Sequence, residues 1–142
     1  MMKRKSKLNY QPVFSFLLIG ISSHENDYHL SWAINTNLGF QLTRNIDLVV
    51  PGQQKGEFMS FSIFSYDDQQ SLIGYNLISN TGDNGFLIPE YKNIDFFLQI
   101  NGKLKETSLN RILDKLRMIN IISTCFIITP ESIKSPEKLL IN

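Results

Sequence analysis

Cysteine is nearly missing from this sequence: Cys125 is the only one among 142 residues. A single thiol forms no intrachain disulfide and builds no cysteine zinc site. Both exclusions fit a reducing, cytoplasmic compartment. Cys125 itself lies in an apolar run. It reads there as a small buried hydrophobe, because burial raises a thiol pKa and blunts its reactivity. Histidine is scarce as well, with only His24 and His29. Five residues along a helix turn them about 140° apart, so they do not share a face for a metal ion. No stretch approaches the roughly 20 apolar residues of a membrane-spanning helix. Val13 to Ile21 is a short apolar run behind the basic stretch Met1 to Pro12, which outlines a weak signal peptide. Ser15 interrupts it and no Ala-x-Ala pattern follows, so a strand is the better reading.

Several reaction signatures are also missing. There is no Gly-x-Ser-x-Gly elbow to present a serine nucleophile. Pro51 to Gly56 has glycines and a lysine, but no Gly-Lys-Ser/Thr step leads from it into a helix, so it is no phosphate loop. No cofactor is expected.

What is present describes an ordinary globular domain. Apolar residues make up 42% and charged residues 19%, too apolar for disorder. Ten Phe and five Tyr favour core and sheet packing. The net charge of +1 hides an asymmetry. Lys3, Arg4, Lys5 and Lys7 form a basic arm, and the remaining body is slightly acidic, a poor electrostatic footprint for nucleic acid. The expected organisation is an arm over residues 1–12, one domain over 13–130 and a C-terminal tail over 131–142 with an apolar anchor at Leu139-Leu140-Ile141.

Along the chain, Val13 to Ile21 predicts a central strand, apolar on both parities. Ser22 and Glu25 stand at capping-box spacing, with Asp27 a second possible cap, ahead of a helix to Leu38 that Gly39 stops. Phe40 to Val50 reads as extended. Phe58 to Tyr66 and Leu72 to Ser79 predict an antiparallel hairpin. Ile94 to Ile100 alternates cleanly as a strand. Leu109, Ile112, Leu113 and Leu116 stand at i, i+3, i+4, i+7, the strongest helical signal, with Thr107 or Ser108 as its cap. Ile121 to Thr129 predicts a buried strand. Two helices against five to seven strands imply an α+β fold, a mostly antiparallel sheet with both helices on one face. A ferredoxin-like arrangement with an inserted hairpin is the nearest named option.

Two groups of residues carry possible function. Glu90 and Asp95 flank Tyr91 to Ile94. They are either a converging acid pair for a hard cation or proton transfer, or local structure, with Pro89 opening a turn and Glu90 near its positive end. Phe58, Phe64 and Tyr66 share a parity, and Phe97 lies opposite the Phe96, Leu98, Ile100 set. If open, these rings form an interaction surface or a stacking platform for single strands. A covering layer or a dimer contact is the competing reading.

Leu87-Ile88-Pro89-Glu90-Tyr91-Lys92-Asn93-Ile94-Asp95-Phe96 resembles the motif of the small bacterial IPExxxDY family. The likeness extends from about Val13 to Ile141: an opening apolar strand, the helix with Asp27-Tyr28 and Trp32, and a closing helix and strand. Four residues rather than three separate Glu90 from Asp95, and Phe96 stands where the family has tyrosine, so no tyrosine hydroxyl acts there. The resemblance implies no reaction. With no catalytic constellation and a surplus of aromatics, the expected function is a non-enzymatic protein-interaction or regulatory domain, with homodimerisation through an aromatic sheet face or an edge strand. The alternative is an accessory RNA or single-strand binder using Lys3, Arg4, Lys5 and Lys7. The least favoured reading is an enzyme or metal site at Glu90 and Asp95.

Overall fold

The computed structural model describes residues 16–141. In chain order it contains β1 (Leu17–Ser22), α1 (Asp27–Leu38), β2 (Thr43–Arg44), β3 (Leu48–Pro51), β4 (Phe58–Phe61), β5 (Ile63–Asp68) and β6 (Ile73–Ser79). There follow β7 (Thr81–Gly82), β8 (Gly85–Phe86), β9 (Phe96–Asn101), α2 (Glu106–Arg117) and β10 (Thr124–Ile128). Single 3₁₀ turns stand at Pro89–Tyr91, Pro130–Ser132 and Pro136–Leu139.

The fold is α+β. Six strands form one antiparallel sheet in the order β10-β1-β9-β6-β5-β2. β1 sits between β9 and β10, so the β9-α2-β10 crossover straddles it. β9 sits between β1 and β6, so the chain from β1 through α1 to β6 straddles β9. Two interleaved β-α-β units of this kind are what a ferredoxin-like arrangement needs, and β5 and β2 extend the sheet beyond them.

Both helices cover one face. Leu30, Ala33 and Ile34 of α1 and Leu109, Ile112, Leu113 and Leu116 of α2 pack on Ile19, Ile21, Leu77, Leu98 and Ile100. The other face is covered too. Val50 and Phe61 of the β3–β4 hairpin, Leu87 and Ile88, and Ile133 and Leu139 of the C-terminal segment close over Leu18, Ile78 and Phe97. A sheet buried on both sides explains why β1 is apolar on both parities and why Phe97 and Gln99 of β9 are buried as well as Phe96, Leu98 and Ile100.

Several local expectations are corrected. The cap of α1 is Asn26, whose Oδ1 accepts the His29 N–H at 2.8 Å; Asp27 is already helical, and Ser23 rather than Ser22 turns back, accepting from Glu25 N–H. α2 follows Lys105 with no side-chain cap, and Thr107 and Ser108 lie inside it. The strand expected over Phe58 to Tyr66 is two strands. β4 pairs with β3 and β5 pairs with β6, so the chain changes sheets at Ser62. Gly82 packs closely against β4, where a Cβ would stand 2.8 Å from the Ser60 carbonyl and 2.9 Å from the Phe61 ring. Ile94 precedes its strand and points to the second face with Phe97, not to the helix face with Phe96. β10, expected to be buried, is an edge strand among the described residues and leaves Phe126 39% and Ile127 44% exposed.

Candidate functional site

The loop between β8 and β9 carries the motif residues, and a residue outside the motif shapes it. Asn80 follows the last residue of β6 and is fully buried. Its Nδ2 donates to the carbonyls of Tyr91 (2.9 Å) and Ile94 (2.8 Å), and its Oδ1 accepts the Ile88 N–H (2.8 Å). Its main chain donates to Asp95 and accepts from Leu87. A buried amide with every group paired rigidifies what it touches, and here it fixes both ends of the loop.

The two carboxylates act on different segments. Glu90 is exposed, and its Oε2 accepts the Lys134 N–H at 2.7 Å. Asp95 is half-buried, and its Oδ2 accepts the Ser23 N–H at 2.8 Å. Glu90 thus holds the C-terminal segment to the loop, and Asp95 holds the connection from β1 to α1. Ser22 Oγ adds a bond to the Asn93 carbonyl, and Tyr91 Oη meets Ser132 Oγ at 2.9 Å. Partial desolvation pushes the Glu90 carboxyl up, but the Lys134 N–H, its own N–H and the charges of Lys134 and Lys138 outweigh it and hold the group below the usual glutamate range. Pro89 opens its 3₁₀ turn as expected. Phe96 packs under the helices. Among the described residues, no group of three or more His, Cys, Asp or Glu is placed to hold a metal ion. A shallow cavity of about 360 Å³ lies between Pro89-Glu90 and Lys134, Ser135 and Lys138. Lys138 Nζ is committed there to the Leu87 carbonyl at 3.1 Å.

The four aromatic residues expected to share a surface are dispersed. Phe97 is fully buried beneath the second layer. Phe64 and Tyr66 lie on the helix face, Phe64 under the Arg44 guanidinium and Tyr66 against the rings of Phe40 and Tyr75. Phe58 is 64% exposed on the separate β3–β4 hairpin. The change of sheets at Ser62 is the physical reason for Phe58: Met59, Phe61 and Ile63 all face the same core, but β4 covers that core from outside while β5 belongs to the main sheet, so residues of one parity end on opposite sides. Lys3, Arg4, Lys5 and Lys7 lie outside the described residues.

The two edges of the sheet differ sharply. At the β2 edge, the Asn35 side chain bonds both main-chain groups of Leu42, Nδ2 to the carbonyl at 3.0 Å and Oδ1 from the N–H at 2.9 Å. One amide there replaces a neighbouring strand. β2 itself is only two residues long, and Arg44 lies across it. Exposed Tyr28 and Trp32 of α1 rim a groove of about 570 Å³ beside it. At the opposite edge, β10 pairs only with β1 among the described residues. The run from Ile121 to Pro130 contains no charged residue. Arg117 of α2 reaches round to the Cys125 carbonyl at 3.3 Å. That carbonyl therefore points away from β1, and the alternation of an antiparallel ladder turns the main-chain groups of Cys125 and Ile127 outward and those of Thr124, Phe126 and Ile128 inward. Burial pushes the Cys125 thiol up, against the nearby Arg117.

No family model, curated protein or solved structure matches the chain. Among the described residues, no helix is long and apolar enough to cross a membrane.

Asn80, Asn35 and Arg117 carry these arrangements, and none stands out in the sequence. Asn80 opens the run Asn80-Thr81-Gly82-Asp83-Asn84-Gly85, whose composition reads only as turn chemistry. Nothing in a single chain distinguishes an asparagine that turns the backbone from one buried against two carbonyls.

Proposed function

We propose that this chain is a protein-interaction domain that takes an extended partner segment onto the free edge of β10. The observation that carries the reading is the contrast between the two edges. Globular proteins blunt an edge strand with charge, proline, brevity or a covering group, because a row of free N–H and C=O groups templates pairing with another chain. The β2 edge has those devices. β10 has five residues, no charge, two exposed apolar side chains and one long bond from Arg117. Strand addition of this kind draws affinity from main-chain bonds and specificity from alternate side chains.

The motif fits this reading as scaffolding. Glu90 and Asp95 each hold a backbone segment and neither faces a free cavity with the other. The likeness to the IPExxxDY family, on Ile88-Pro89-Glu90 and Asp95-Phe96, is carried as part of the proposal, as is a cytoplasmic location from the single cysteine.

Ile127→Pro tests the site. Its N–H points away from β1, so proline removes an outward donor and leaves the sheet's own bonds intact. Tagged wild-type and variant chains are compared as baits in their own cells, with circular dichroism as the control for folding. The expected result is a partner, including the untagged chain itself, that copurifies with the wild type and is lost with the variant. Equal retention by both baits, or no partner on either, overturns the proposal.

A further inference from the structure

We infer that the segment taken up by β10 is the β10 of a second copy, paired antiparallel about a two-fold axis at Phe126, so that two six-stranded sheets become one. The inference rests on the strand-addition reading above and adds the identity of the partner.

The argument is self-complementarity. A two-fold interface sets every residue against its symmetry mate's neighbourhood, so any charge near the axis meets its own copy. Like charges directly opposite on paired strands are destabilising. The ten residues from Ile121 to Pro130 have none, so no charge on the strand itself opposes self-pairing; the Arg117 guanidinium, held at the Cys125 carbonyl, comes from α2 and lies beside it.

The register follows from which groups are free. Only Cys125 and Ile127 direct N–H and C=O outward. An axis at Phe126 sets Cys125 opposite Ile127 of the second copy, and Ile127 opposite Cys125 of the second copy. Each of these pairs exchanges two bonds, which gives four across the junction and uses every outward group of the two residues. The Cys125 carbonyl keeps its Arg117 bond, since a carbonyl oxygen has two lone pairs.

The side chains agree with that register. Phe126 lies on the second face with Ile128, and Ile127 lies on the helix face with Cys125. At the axis Phe126 stands opposite Phe126 of the second copy in a pair without main-chain bonds, the closer kind. Two half-exposed rings thereby cover each other, and aromatic pairs so placed are favourable. On the helix face each Ile127 gains the neighbouring Cys125 of the second copy. Both exposed apolar residues of β10 are thus covered in one arrangement. Shifting the axis by one residue to Cys125 or Ile127 leaves a Phe126 without its mate.

The test uses the full chain and reads mass and register separately. Light scattering on a sizing column is expected to give twice the monomer mass for the wild type. Ile127→Pro and, as a second variant, Ile127→Lys are expected to give the monomer mass with unchanged circular dichroism. For register, Phe126→Cys in a Cys125→Ser background places two thiols about 4.5 Å apart between Cα atoms, within disulfide reach. Mild oxidation is expected to convert most of it to a covalent dimer. Ile127→Cys in the same background places them diagonally, about 7–8 Å apart, and is expected to cross-link little. A wild type that stays monomeric at its highest soluble concentration overturns the inference. So does a dimer that survives both Ile127 variants, or one in which Ile127→Cys cross-links as readily as Phe126→Cys. A monomer that still loses a different protein partner on Ile127→Pro defeats the second copy alone and leaves strand addition standing.

Discussion

Replacing Asn80 with alanine removes three side-chain hydrogen bonds in a site closed to water. The Ile88 N–H and the Ile94 carbonyl lose their partners, whereas the Tyr91 carbonyl keeps the Ile94 N–H and the main-chain bonds of residue 80 to Asp95 and Leu87 remain. Leaving a buried polar group unpaired costs about 1–3 kcal/mol each. The Ile94 carbonyl has some room to relax, so the low end applies to it. The Ile88 N–H has no alternative acceptor among the bonds described, so it bears the larger share. The expected loss is roughly 2–4 kcal/mol, out of the 5–15 kcal/mol typical of a domain. Urea unfolding should show a lower midpoint with an unchanged slope. Native-state hydrogen exchange should show the Ile88 amide losing more protection than amides of β1. Asn80→Asp sharpens the test. It keeps the acceptor for Ile88 but turns an anionic oxygen on two carbonyls, so at neutral pH it should cost at least as much as alanine. Acidification should relieve it in part, because a protonated carboxyl regains one donor. A loss below about 1 kcal/mol for alanine, or an aspartate variant as stable as the wild type, would refute the account of Asn80 as the fastening of this loop.

The dispersal of the aromatic residues predicts that Phe97→Ala destabilises by roughly 3–5 kcal/mol, the range for a fully buried phenylalanine. Phe58→Ala, on the exposed hairpin, should stay within about 0.5 kcal/mol; comparable losses in urea unfolding would contradict the two placements. Glu90 predicts a pH dependence. Its folded-state pKa lies below its unfolded value, so its contribution is fully present above the ordinary glutamate range and is lost as pH falls through the lowered value. Glu90→Gln should therefore flatten the acid limb of the wild-type stability curve measured by urea midpoints from neutral to acid pH, and an identical limb in both proteins would remove Glu90 from the linkage.

Periodicity made the helix faces and the β5–β6 hairpin legible. Leu109, Ile112, Leu113 and Leu116 all point into the core, and Ile73, Tyr75 and Leu77 share the helix face. Periodicity failed where tertiary context chose between identical patterns. The apolar run at Ile121 to Thr129 looks the same in a central strand and at an edge, because the local sequence does not say whether a neighbour exists on the far side. Phe58 to Tyr66 alternates smoothly through Ser62, yet its first half pairs with β3 in a different sheet. At the candidate site, Pro89 opening a turn could be read from the sequence. The partners of Glu90 and Asp95 could not, since they lie 44 and 72 residues away along the chain.

Those separations have a consequence for how the chain is made. β1 is the central strand of its half of the sheet, and both its neighbours come late. Its end is fastened to Asp95 by a bond spanning 72 residues and to Ser123 by one spanning 101. At about 5–20 residues per second on a ribosome, β1 emerges roughly 4–15 s before the start of β9 and longer before β10. Throughout that interval the segment Leu17-Leu18-Ile19-Gly20-Ile21 has no native strand to bond, while α1 and the β5–β6 hairpin can already form from local contacts. Loop closure over such distances slows folding, so the nascent β1 is the part of this protein with most need of a chaperone.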